Sequence, residues 1–394
     1  MRKNDKGAVL LIVLLVLVIL IIVIFSYIDS ITIDSLISNN QKNESVMSWT
    51  IRGGIELSKA YLVLDNQNEF DSLNEPWAKK IKKDELGDAE LEVVAVDEDR
   101  KFNIRACVED SEEQQKIARN ILIRLIIAAR NEDNSALRSD EIDADEIVEN
   151  IVEWLNEKSG SNQDAVISEI NPTIGEAEDS DNLSKDDRKI NKSSPYAILT
   201  IAELLMVEGV TRSLLYGPPQ KSLENMEDED EEDEDDEDDT KNRKPLLDFI
   251  TCYSTNIRKI NINTAPKEVL TALTEKMPSE VVSGIIEARK ETEEDLENKD
   301  PEEADVDAAS FRVNDIASKS NFSTKIDVEI EDELWNEIKG WFSVKSEYFS
   351  VVATAHAKSG ERKTRLKQSW RVFMKRIQKN NAYTLELMII DREN

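Results

Sequence analysis

The sequence predicts an α+β fold with one long N-terminal helix that starts in a membrane, a small antiparallel sheet, and a large helical segment inserted between two groups of strands. Three observations carry this expectation. Residues 8–25 are eighteen consecutive apolar residues with no Gly, Pro or charge. Strand-like stretches rich in β-branched and aromatic residues occur near 90–105 and again from 348 to 390. Between them, apolar residues recur at helical spacing.

At 1.5 Å per residue the apolar run makes a helix about 27 Å long, close to the hydrocarbon thickness of a bilayer. Arg2, Lys3 and Lys6 precede it. A basic flank on that side alone predicts a cytoplasmic N-terminus and a body across the membrane. A cleaved secretory signal would end in small residues, but this run passes into Phe25-Ser26-Tyr27-Ile28-Asp29. The small residue, Gly7, stands before the run instead. The helix need not stop at the membrane, since no Pro occurs before Pro76. Met47, Ile51, Ile55, Ser58 and Leu62 keep helical spacing, so one helix is expected from about 8 to 64, with 8–28 in lipid and Gly53-Gly54 as a bend or a close-packing point.

Composition bounds the remainder. A chain of 394 residues, 40% hydrophobic, can form two or three domains with real cores. The net charge of -32 opposes nucleic acid and anionic lipid as partners. Glu227 to Asp239 are thirteen acids in a row, which predicts a disordered insert at about 220–243 rather than a fixed calcium site. Two cysteines, Cys107 and Cys252, make neither a disulfide framework nor a zinc site. They are a candidate disulfide if the body faces an oxidising compartment, or else two buried thiols. The single histidine, His356, lies on an alternating strand and is no catalytic candidate. The motifs of nucleophilic, nucleotide-dependent and redox enzymes (G-x-S-x-G, P-loop, C-x-x-C) are absent from the sequence, so no enzyme is expected.

Along the chain, residues 90–96 read as a strand, Asp97-Glu98-Asp99 as a turn and 101–105 as the returning strand. Residues 114–130 and 146–157 read as amphipathic helices, and 159–192 as a polar loop. A further helix opens at Thr200 and ends at Gly209. Residues 267–273, 279–290 and 330–339 are helical, with an acidic loop at 291–307. Strands at 348–355, 366–374 and 383–390 close the chain. Two stretches look like helix-hairpin-helix units, one at 200–210 and one from Asn263 to Arg289, with Thr200 and either Asn263 or Thr264 as caps and Pro266 in the first turn. Such hairpins can bind nucleic acid through backbone amides, but Glu203, Glu208 and Glu268 surround them, so protein packing is their expected use.

A basic leader, a Gly and a retained apolar helix have the layout of a type IV prepilin, though a plain membrane anchor starts the same way. Further residues narrow this. The Gly7-Ala8 junction, Gly53-Gly54-Ile55-Glu56-Leu57, Trp77, Asp97 to Ile104, Glu153-Trp154-Leu155, Glu203 to Gly209, Asn261-Ile262-Asn263-Thr264-Ala265-Pro266 and Tyr348-Phe349-Ser350-Val351 occur in this order. Together they resemble the type II secretion system minor pseudopilin of the K class (general secretion pathway protein K).

The resemblance implies a pilin-like fold with the long N-terminal helix, a small antiparallel sheet, and an inserted helical domain. Its parts would be a leader at 1–7, the helix at 8–64, a body at 65–105, the inserted domain at 106–340 and closing strands at 341–394. It implies cleavage between Gly7 and Ala8 by prepilin peptidase and N-methylation of Ala8. It implies a bacterial inner-membrane protein with a periplasmic body at the pseudopilus tip. Its partners would be other minor pseudopilins, the major pseudopilin and the inner-membrane assembly platform. The fifth residue from Ala8 is Ile12, where stacking pilins carry a Glu that answers a neighbour's amine. A buried carboxylate without that partner is costly, so an apolar residue there fits a subunit with nothing above it. K-class members can carry calcium in the helical domain. Here the nearest matching ligands are Glu178, Asp179 and Asp181, although Trp154-Leu155-Asn156 departs from the family's Trp-Ile-Asp and its Tyr is absent. A minor pilin of a type IV pilus and a membrane-anchored helix-hairpin-helix DNA-binding protein are the alternative readings.

Overall fold

The computed structural model describes residues 5–64, 69–86, 89–108, 111–130, 143–160, 200–217, 244–290, 310–357, 366–379 and 382–393. Helix α1 (Asp5–Leu64) is unbroken through 60 residues, about 90 Å. Its two halves meet different surroundings. Every residue from Leu10 to Lys42 is exposed, whereas Met47, Ile51, Gly54, Ile55, Ser58 and Leu62 are buried. The expected helical face is the face that packs. Gly53-Gly54 does not break the helix. Gly54 lies directly on the sheet.

Numbered in chain order, five strands form an antiparallel sheet in the order β1-β2-β7-β8-β9: β1 (Ile81–Leu86), β2 (Ala89–Asp97), β7 (Tyr348–Ala357), β8 (Lys367–Lys379) and β9 (Ala382–Glu393), while the short β3 (Phe102–Asn103) pairs with β4 (Ile250–Thr251) and β5 (Ile260–Asn261) with β6 (Phe342–Ser343). In β2, Leu91, Val93 and Ala95 alternate with partly exposed residues. They face α1 together with Phe349, Val351, Ala353, Ala355, Trp370, Val372 and Met374. The period-two pattern therefore buries one sheet face under the helix. Ser48 Oγ and Gln368 Oε1 (3.1 Å) and the Arg52 guanidinium over the Trp370 ring (5.6 Å) fasten the edge of that contact.

The chain leaves the sheet at the end of β2 and returns at β7, whose register with β2 runs from Ala89↔Ala357 to Asp97↔Phe349. The intervening residues build a second core. It comprises α2 (Glu112–Arg130), α3 (Ala144–Gly160), α4 (Arg212–Tyr216), α5 (Lys267–Ala272), α6 (Ser279–Ala288), α7 (Lys319–Ile326) and α8 (Asp332–Ile338). Tyr348 belongs to this core and its neighbour Phe349 to the helix–sheet core, so the start of β7 is buried on both faces. Tyr253 stacks on Phe373 at 3.9 Å and ties the insert to β8.

Three local expectations are corrected. Residues 101–105 do not return along β2. Instead β3 (Phe102–Asn103) pairs in parallel with β4 (Ile250–Thr251), because Phe102 is drawn into the insert's core against Trp341 (5.9 Å). The partner of β2 on that side is β1. Residues 201–206 form a 3₁₀ turn rather than an α-helix. Neither Asn263 nor Thr264 caps α5. The cap position is Pro266, because both polar side chains are engaged elsewhere. As expected, Gly209 reverses the chain at φ +86°.

Candidate functional site

Gly7 and Ala8 lie in the first turns of α1, and Ile12 projects from it with 58% of its surface exposed. Among the described residues this is the helix long and apolar enough to cross a membrane.

The second candidate region is where the insert joins the sheet. Four carboxylates converge there, all buried: Asp71 on the link from α1, and Asp97, Glu98 and Asp99 at the end of β2. Burial of so many acids requires partners. Two have cations. Arg376 on β8 grips both oxygens of Asp71 through Nη2 at 2.5 Å, and Lys101 Nζ holds Glu98 at 2.9 and 3.1 Å. Glu98 also accepts from Ser350 Oγ (2.6 Å) and Thr251 Oγ1 (3.0 Å).

Asp97 and Asp99 instead rely on neutral donors. Asp97 Oδ2 accepts from Thr264 Oγ1 (2.6 Å), Ser346 Oγ (2.6 Å) and Asn261 Nδ2 (3.1 Å), while its Oδ1 accepts from the Asp99 amide (2.8 Å). Asp99 Oδ2 accepts from the amides of Glu347 (2.6 Å) and Tyr348 (3.1 Å). Burial pushes the Asp97 carboxyl up to about 6, aided by the nearby charge of Asp71 and opposed by its hydroxyl donors. Burial and the charge of Asp97 push Asp99 up to about 7.

The Asn261 to Pro266 string is the insert's half of this junction. Asn261 Nδ2 also reaches the Asp71 carbonyl (3.0 Å) and Ser346 Oγ (2.8 Å). Asn263 brackets Phe311, donating to its carbonyl (3.0 Å) and accepting from its amide (2.7 Å). Arg289 Nη1 ties off the carbonyls of Ile262 and Ala265 at 2.8 Å each. Sequence reading singled out the acidic turn and the Asn-rich string but missed that they meet, and missed Asp71, Ser346 and Arg376 altogether. The signal available was the density of Asn, Thr and Asp in two otherwise apolar stretches.

Cys107 and Cys252 are both buried free thiols. Burial pushes Cys107 up to about 12 and raises Cys252 as well. The candidate calcium ligands Glu178, Asp179 and Asp181, and the acid run 227–239, lie outside the described residues. Among the described residues no cluster of three or more His, Cys, Asp or Glu is arranged to hold a metal ion.

Residues 260–325 match the family model for type II secretion system (T2SS), protein K. No curated protein matches the chain. The fold is similar to that of a chain in the crystal structure of the GspK-GspI-GspJ complex from the enterotoxigenic Escherichia coli type 2 secretion system. The TM-score is 0.51 at 17% sequence identity, over 90% of this chain and 98% of that one. The matched segment begins at the Asn-rich string of the junction. These findings bear out the resemblance to the K class and the mixed helix-and-sheet fold with its long apolar helix.

Proposed function

We propose that this chain is a non-enzymatic minor pseudopilin placed at the tip of a periplasmic pseudopilus, where it helps start filament assembly for protein secretion. The carrying observation is the division of α1. Its first part, bare from Leu10 to Lys42, is continuous with a second part fixed to a folded body. A helix exposed on all sides over that length needs lipid or other helices around it, and the apolar portion is long enough for a bilayer. The match to protein K and the fold shared with a chain of a GspK-GspI-GspJ complex support other minor pseudopilins as partners.

In this reading residues 1–7 are removed after Gly7 and the amine of Ala8 is methylated. The N-terminus begins on the cytoplasmic side of the inner membrane, and the body, with the insert at 106–340, stands in the periplasm. The major pseudopilin and the assembly platform meet α1. Ile12 supports the tip position, because a subunit with no neighbour above it needs no carboxylate there.

Co-expression with a prepilin peptidase tests the first step. The mature chain is expected to begin at methylated Ala8 and to stay in the membrane fraction. A chain retaining Lys6-Gly7, or a soluble one starting beyond Ser26, overturns the reading. Co-purification with candidate minor pseudopilins in equal ratio, abolished by deleting the insert but not by charge changes on β9, tests the tip complex.

A further inference from the structure

We propose that Asp97 and Asp99 form a proton-dependent latch between the sheet and the inserted helical domain: one proton held by the pair locks the two parts together, and its loss loosens them.

The geometry carries this in three steps. First, the pair sits on the connection. Asp97 is the last residue of β2, and its oxygens are held by Thr264 and Asn261 from the insert and by Ser346 from the link into β7. Asp99 holds the amides of Glu347 and Tyr348 at the point where the chain re-enters the sheet. One carboxylate therefore clamps the exit and the other the return.

Second, the charge around the pair does not balance. From the link after α1 comes Asp71, whose charge is met by Arg376 of β8. On the turn itself Glu98 is met by Lys101, and Arg100 lies near enough to Asp97 to favour its charged form. The insert contributes the uncharged Asn261, Thr264 and, against Asp99, Ser254, while the β7 side contributes the amide of Glu347. Neither Asp97 nor Asp99 makes an ion pair among the described residues. Two buried carboxylates that repel each other and lack cations favour keeping a proton over ionising together.

Third, the site has a place for the proton. Thr264 Oγ1 stands 2.6 Å from Asp97 Oδ2 and 3.4 Å from the carbonyl of its own loop at Asn261. The hydroxyl can turn to donate to that carbonyl and accept from a protonated Asp97.

The direction of the effect follows. Both acids titrate above their unfolded range in the folded chain. The stability they contribute is fully present below the unfolded value of about 4 and is lost as pH rises through about 6 to about 7.

The test uses the full chain in detergent. Exchange protection of the Glu347 and Tyr348 amides, corrected for intrinsic rates, is measured from about pH 4 to about pH 8 alongside thermal unfolding. Protection is expected to fall about tenfold per unit of pH while the folded chain holds the proton and the opened chain does not, up to about 6, and to level off above about 7. Asp99→Asn keeps an acceptor for both amides but cannot ionise, so it should flatten this dependence and raise the melting temperature at the alkaline end. Asp97→Asn, as a second variant, should flatten it in the same way. A wild-type profile flat in both readouts overturns the latch, and so does an unchanged slope in both variants.

Discussion

Gly54 of α1 sits so close to β2 that a Cβ added there would lie 2.8 Å from Val93 Cγ2 and 3.0 Å from Leu91 Cδ1. At the adjacent Gly53 nothing lies within 4 Å. The two glycines look alike in sequence and differ completely in what they do. One permits the long helix to press on the sheet, and the other faces open space.

This difference gives the first prediction. Gly54→Ala is expected to destabilise the body by about 1–3 kcal/mol, because Val93 and Leu91 must shift within a packed face. Gly53→Ala should be neutral or stabilise by up to about 1 kcal/mol through helix propensity alone. Denaturant unfolding of the two variants, side by side, reads the contrast. Equal effects would mean that α1 does not rest on β2 at Gly54.

The ion pair of Arg376 with Asp71 joins the α1 link to β8, and both side chains are nearly sealed from water. Arg376 also donates to the Ser346 carbonyl at 2.6 Å. Arg376→Ala should cost about 3–5 kcal/mol, since it leaves the Asp71 carboxylate buried without a cation. Arg376→Lys should recover only part, because one ammonium cannot reproduce the guanidinium's planar donor set. Chemical denaturation of the three chains orders them.

Cys107 and Cys252 lie in the insert's core, and burial holds both thiols in the protonated form. In the native chain at about pH 8, maleimide labelling should run at least about 100-fold slower than in denaturant, where the thiols return to their ordinary pKa of about 8.5. Rapid native labelling would show that the insert opens, and resistance in denaturant without reductant would show a disulfide.

The long helix, the two amphipathic helices before residue 160, and the closing strands were legible because each repeats one period over many residues. Met47, Ile51, Ile55 and Leu62 mark the buried stripe of α1, and that stripe is the one seen. The strand pairing at 101–105 was misread because two-residue strands such as Phe102–Asn103 have no periodicity to reveal, and their partner lies some 150 residues away. Helix α7 went unread for a similar reason: Lys319–Ile326 shows two buried residues, Phe322 and Ile326, too few for a stripe. At the candidate site, Asp97, Asn261 and Thr264 were visible as motif residues. Their meeting with Asp71, Ser346 and Arg376 depends on the tertiary path, which local sequence does not encode.

The inserted segment that contains the acid run starts and stops at one spot. Gly217, at φ +81°, abuts Pro245, and a side chain at 217 would touch the proline ring at 3.2 Å. A loop whose feet already stand together adds little strain to its host, and its entropic penalty rises by only about 0.6 kcal/mol per doubling of length. Excising residues 218–243 and bridging the gap with a short Gly-Ser link should leave the melting temperature of the remaining chain nearly unchanged. The same economy explains how a lineage could lengthen or shed such a tract without renegotiating the scaffold beneath it.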